Sequence, residues 1–192
     1  MNGRSSTGPE AFAGVEQREH GIILSSRVRL ARNLQDLAFP PQAAAGVLDE
    51  VCLRVEAVLC KGAPLFEKLG KASPRRLQEL FEEHLISRDL LKHRPGAAIR
   101  MNAEGRHSVM VNEEDHLRIQ VLLPGLALRR AWEEADRLDD ELEQRLDYAF
   151  SPSLGYLTSC PSNVGTGMRA SVLMHLPGLV MMREMEPIMN GL

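Results

Sequence analysis

The segment SVMVNEEDHLRI, residues 108–119, sets the tightest limit on how this chain can fold. Val109 and Val111 mark a strand, and three consecutive acids, Glu113, Glu114 and Asp115, come directly after it, with His116 and Arg118 behind them. Strands disfavour acids, and adjacent like charges repel one another. The cluster therefore belongs in a turn, kept stable by solvation or by a bound cation. Taken alone, the solvated turn is the simpler reading. A site for a metal ion or a guanidinium group gains ground only through residues nearer the C-terminus.

An apolar fraction of 44% over 192 residues suffices for one substantial core. A net charge of -3 argues against a general nucleic-acid binder, whose basic surface would show in the total. No apolar run is long enough to span a bilayer, and the N-terminus lacks the apolar stretch of a secretion signal. The cysteines Cys52, Cys60 and Cys160 are not spaced as metal ligands. They read as reduced thiols of a soluble cytoplasmic protein.

Residues 1–21 are polar and rich in Gly, Ser and Glu, and are expected to form a mobile lead-in. A strand opens at Ile22 and runs into SSRVRLARN; in an extended chain Arg27 and Arg29 share one face. A helix begins near Pro41, with Ala45, Leu48, Cys52, Val55 and Leu59 at helical spacing, which makes Cys52 a core residue. A second helix over residues 74–84 puts Leu77, Leu80 and Phe81 on one side. Strands are expected at 97–101, 108–111 and 117–123. The longest helix comes after Pro124 and Gly125, with Leu128, Trp132, Ala135, Leu138, Leu142 and Leu146 as its buried stripe. Asp139 and Asp140 fall on its wet face in this reading.

Residues 155–167, GYLTSCPSNVGTG, form a loop, because Pro161, Gly165 and Gly167 exclude a regular helix there. Such a loop can wrap phosphate or hold Cys160 at a site. Arg27, Arg29, Arg118 and Arg169 each stand beside an apolar strand-like run. One such arginine is an ordinary surface residue. Four, with three acids and a loop thiol, suit a triphosphate, its Mg²⁺ and a cationic acceptor.

SSRVRLARN, EEHLIS, VNEEDHLRI, GYLTSCPSNVGTG and RASVLMHLP occur in this order. With them the chain resembles the catalytic domain of the ATP:guanido phosphotransferases, which include creatine and arginine kinases. Within that family it is most similar to the bacterial protein-arginine kinases. IQVLLPG after the acidic motif and LDYAF before the loop point to that branch. Only 24 residues precede Ser25, where kinases of small guanidino compounds carry a helical domain.

The resemblance implies an α+β fold, a largely antiparallel β-sheet flanked by helices. The catalytic domain would run over residues 22–192 and be truncated at its C-terminus, since the family's RGxxGEGS loop is absent. It implies ATP and Mg²⁺ as cofactors and proteins bearing exposed arginine as acceptors. Ser25, Ser26, Arg27, Val28 and Arg29 match the first nucleotide segment, and His84 a nucleotide-contacting histidine. Arg118 and the run Arg169, Ala170, Ser171, Val172 and Leu173 match further phosphate contacts. Glu114 matches the carboxylate that grips the acceptor guanidinium. Glu113 and Asp115 match the Mg²⁺ shell through water, with Glu113 also beside the acceptor, and Cys160 the thiol that steers it. Two alternatives stay open: a kinase of a small guanidino compound, and a non-catalytic nucleotide-binding remnant acting through an activator or partner kinase chain.

Overall fold

The computed structural model describes residues 21–60, 65–92 and 95–191. The expected lead-in therefore lies, apart from Gly21, outside the described residues. The elements run β1 (Ile23–Arg32), α1 (Ala45–Leu59), β2 (Leu65–Lys68), α2 (Pro74–Glu82), β3 (Ala98–Met101), β4 (His107–Val111) and β5 (Leu117–Pro124). Then come α3 (Leu128–Glu143), β6 (Phe150–Ser151), β7 (Gly155–Tyr156), β8 (Met168–Met174), α4 (Pro177–Met181) and α5 (Met185–Gly191). Six strands form one sheet in the order β2-β3-β4-β5-β1-β8, and every neighbouring pair is antiparallel. The α+β expectation matches this architecture.

Alternation along the central strands sorts their side chains onto two faces. Val28 and Leu30 of β1, Val109 and Val111 of β4, and Leu117, Ile119, Val121 and Leu123 of β5 point one way. There they meet Val51, Cys52 and Val55 of α1 and Ala131, Ala135 and Leu142 of α3 in one buried cluster. Cys52 is a core residue, as its helical spacing predicts. The opposite face is divided. Over β3 and β4 it is apolar, and Ile99, Met101 and Met110 pack under Leu80 of α2 and Leu85 and Leu90 beyond it. Over β5, β1 and β8 no helix of the described residues contributes to a buried cluster on it, and it carries the arginines.

Local chemistry places the helices. Ser73 caps α2 by accepting from Arg76 N at 3.2 Å, with Pro74 in the first turn, where a missing N–H is harmless. Ser26 on β1 fixes the start of α3: its hydroxyl donates to Gly125 O at 2.7 Å and accepts from Ala127 N at 2.9 Å.

Two expectations about α3 fail. Trp132 is 44% exposed, whereas Ala131 beside it is buried. Close packing of α3 on the sheet admits a methyl at that position, and the indole is left outside. Asp139 is only 4% exposed and belongs to the buried side, for it has a buried cationic partner, Arg32.

Candidate active site

The acidic motif is the turn that joins β4 to β5, closed by the pair Val111 and Leu117. Asn112 takes a positive φ of 57°, which asparagine tolerates better than most residues. Its amide donates to Leu48 O at 2.8 Å and Gly96 O at 2.9 Å, and its N–H to His116 O at 2.9 Å. This pinned turn sends its three acids to different places. The Glu113 side chain is 3% exposed, pairs with Arg118 Nη2 at 2.6 Å and accepts from Glu114 N at 2.9 Å. The Glu114 side chain is 42% exposed, with its carboxylate 3.5 Å from Arg118. Asp115 is buried, and its Oδ1 accepts from Asn33 Nδ2 at 2.6 Å and Ser159 N at 2.7 Å. His116 accepts from Leu34 N at 3.0 Å on Nδ1 and donates from Nε2 to Ala38 O at 3.1 Å. That arrangement requires the neutral ring, and burial lowers its pKa below 6.5.

The open half of the sheet gathers the arginines by register. Arg29 stands opposite Gln120 on β5 and Arg169 on β8; Arg27 stands opposite Leu122 and Ser171; Arg118 stands opposite Ala31. Cross-strand partners share a face, so Arg27, Arg29, Arg118, Arg169 and Ser171 all lie on the uncovered side. Arg27 Nε donates to Ser171 Oγ at 3.4 Å. Burial, and then the like charges of Arg27, Arg118 and Arg169, lower the Arg29 guanidinium to about 10, with Glu113 opposing. Burial, then Arg169 and Arg118, lowers Arg27 too. These like charges oppose one another on the face, and the Glu113 carboxylate offsets part of the repulsion.

His84 reaches the same region. It comes just after α2 in a left-handed conformation (φ 59°), and its carbonyl accepts from Gln120 Nε2 at 3.0 Å. Ser25 and Leu173 face each other across β1 and β8 at the end of the row. Other residues of these segments turn the opposite way. Ser26 is spent on the start of α3, and Val28 lies in the core. Ala170 and Val172, opposite Val28 and Ser26, share that direction. For these four, only backbone atoms are available to a ligand on the arginine face.

Cys160 sits at the start of a short 3₁₀ turn, Pro161–Asn163, with its Sγ 3.0 Å from Ser162 Oγ. The turn brings Asn163 into a small cleft together with Arg29, Glu114, Arg118, Arg169 and Gly167. Acidic turn, arginine face and glycine loop thus converge on one place. Asn33, Asn163 and Gln120 also belong to this region, and none is a candidate from the sequence. Asn33 binds Asp115 and, through its Oδ1, receives His116 N at 2.9 Å. No periodicity marks these three; they are recognisable only through the partners that folding brings.

Among the described residues, no group of three or more histidine, cysteine, aspartate or glutamate side chains gathers as a metal site. Glu113 is paired with Arg118, and Asp115 is engaged by Asn33 and Ser159. Both carboxylates therefore have partners within the protein. The side chains present do not fit a resident Mg²⁺ ion.

A family model described as the ATP:guanido phosphotransferase C-terminal catalytic domain matches residues 61–192. The protein-arginine kinase of Pelotomaculum thermopropionicum is 48% identical over 181 residues, covering 91% of this chain and 51% of that protein. That of Geobacillus kaustophilus is 43% identical over 193 residues, covering 97% and 53% respectively. The chain spans about half the length of these relatives. Among solved structures, the substrate-free duplicated taurocyamine kinase of Schistosoma mansoni aligns with a TM-score of 0.75 at 28% identity, covering 83% of this chain and 24% of that one. A lombricine kinase aligns with a TM-score of 0.76 at 25% identity, covering 86% and 51%.

Proposed function

The chain belongs to the ATP:guanido phosphotransferase family, and from that premise we propose that it phosphorylates arginine side chains of proteins at the expense of ATP. The observation that carries the proposal is the convergence of four arginines on one open sheet face with an exposed glutamate at its edge. Protein acceptors are favoured over small guanidino compounds because similarity is greater to protein-arginine kinases, at 48%, than to taurocyamine kinase, at 28%. The proposed unit runs over residues 22–192 and works in the cytoplasm on proteins with exposed arginine. Among the described residues no helix is long and apolar enough to cross a membrane.

Phosphoryl transfer asks a protein mainly for positioning and charge stabilisation. Arg27, Arg29, Arg118 and Arg169 are proposed to hold the phosphate oxygens of ATP, with Ser25, Ser171 and the His84 and Ala170–Val172 backbones along the nucleotide. Mg²⁺ enters with the nucleotide as part of the substrate. Glu114, the accessible carboxylate of the motif, grips the acceptor guanidinium and takes a proton as the nitrogen attacks. A P–N bond forms, the bond from the γ-phosphorus to the bridging oxygen breaks, and ADP leaves with that electron pair. Glu113 holds Arg118 toward the phosphates and, through Glu114 N, the turn that presents Glu114. Cys160 is proposed as the loop thiol that steers the guanidinium.

The test is transfer from labelled Mg²⁺-ATP to a protein rich in surface arginine. Acid-labile label on arginine is the expected result. A folded chain that binds nucleotide and transfers nothing would instead be a non-catalytic nucleotide-binding protein.

A further inference from the structure

The arginines of the open face occupy odd positions on β1; Arg32 has the opposite phase and points into the protein. It is 4% exposed, and a buried guanidinium must be fully partnered. Its Nε and Nη2 donate to Asp139 Oδ2 of α3 at 3.0 and 2.5 Å. Its Nη1 donates to Ala31 O at 2.8 Å and to Thr166 O at 3.0 Å. Its guanidinium carbon lies 3.6 Å from the centre of the Tyr156 ring, a cation–π distance. Arg32 thus touches the glycine loop where it begins, at Tyr156, and where it ends, at Thr166.

The two ends of the loop are also tied to each other and to β1. Tyr156 N donates to Gly165 O at 2.8 Å, and Ala31 N to Gly167 O at 2.8 Å. Gly167, with φ 62°, approaches so closely that a Cβ there would come 2.5 Å from Ala31 O and 2.6 Å from Arg32 Nη1. Cys160 and Asn163 lie between these ends, and Ser159 N is held by Asp115 at 2.7 Å.

We propose that Arg32 of β1 and Asp139 of α3 are positioning residues: together they clasp both ends of the Tyr156–Gly167 loop and so set where its Asn163 stands in the arginine cleft and how its Cys160 is held. Neither touches substrate. The effect on rate rests on the proposed phosphotransfer, whereas loop position can be read without it. A fork is needed because Arg32 serves a carboxylate and two carbonyls while stacking on a ring, and lysine cannot reproduce that geometry.

The experiment compares Arg32→Lys and Asp139→Asn in a Cys60→Ser background, where Cys160 is the accessible thiol and Cys52 is buried. Folding is checked by denaturant titration. The rate of Cys160 modification by an aromatic disulfide reagent should rise about tenfold or more as the loop opens. kcat should fall by about ten- to a hundredfold, the scale of a displaced reacting group, with KM for Mg²⁺-ATP nearly unchanged. If both variants fail to fold, Tyr156→Leu keeps the buried ion pair and removes the ring over Arg32, together with its hydroxyl bond to Glu143 and its edge contacts with Tyr148 and Phe150, and a faster Cys160 reaction is again expected. Unchanged Cys160 reactivity in the folded variants overturns the clasp. No transfer by the parent chain overturns the phosphotransfer reading alone, since the thiol rates still decide this one.

Discussion

Two halves of the same sheet face meet water in opposite ways. On β3 and β4 the outward residues are Ile99, Met101 and Met110, and they are sealed by α2 and the turn after it. On β5, β1 and β8 the outward residues include Arg118, Arg27, Arg29 and Arg169. The border runs along one row, where Met110 stands opposite Arg118. An apolar face left wet loses roughly 25 cal/mol per Å² of burial, so a helix covers it. Covering a row of guanidinium groups with an apolar helix costs far more, so that half keeps its charged side chains uncovered. The same backbone thus yields a core or a site according to which side chains sit on one phase of the alternation.

The contrast can be broken by substitution. Glu114→Gln, at the edge of the open half, should lower phosphate transfer by about a hundred- to ten-thousandfold, the value of a lost general base. Nucleotide affinity should hold, since Glu114 is assigned to the acceptor; a variant as active as the parent removes that assignment. In the covered half, Leu80→Ala should cost about 2–5 kcal/mol of stability, seen as a lower midpoint in urea. If nucleotide affinity of the folded fraction fell equally, the two halves would not be separable.

Arg29→Ala should do the reverse. Nucleotide affinity should fall by roughly 1.5–3 kcal/mol, the worth of a charge-assisted contact, by titration calorimetry. Stability without nucleotide should hold or rise, because one of four mutually repelling cations is gone. A destabilised variant with intact affinity would make Arg29 a structural residue.

The smallest effect concerns pH. His116 is neutral in the fold, with its pKa lowered below 6.5 by burial. The unfolded chain therefore binds more protons below about pH 6.5, and the histidine's contribution, present above that value, is lost as pH falls toward its folded pKa. His116→Gln should flatten that part of the stability curve; an identical slope in parent and variant would show that another group carries it.

Much of this is legible in the chain. The helical spacing of Leu48, Cys52, Val55 and Leu59 and the period of two through Arg27 and Arg29 are local signals, and both elements form as spaced. The VNEEDH turn and the SCPSNVGTG loop are recognisable as chemistry because strands and helices cannot house them. Trp132 and Asp139 show the opposite. Helical phase alone puts the tryptophan in the buried stripe and the aspartate outside it, and the fold exchanges them. Arg32 carries a fainter signal: its phase on β1 differs from that of Arg27 and Arg29, and a buried arginine demands a distant acid.

Most element types, the family and the arginines of the open strands follow from the order of residues alone, because periodicity and motif chemistry are local properties. Which acid is exposed, which is buried and what Arg32 holds emerge when the chain packs. Those outcomes depend on pairs separated by long stretches of chain, such as Arg32 with Asp139, Asn33 with Asp115 and Arg29 with Arg169. Desolvation is settled only when such partners meet, and no local pattern contains it.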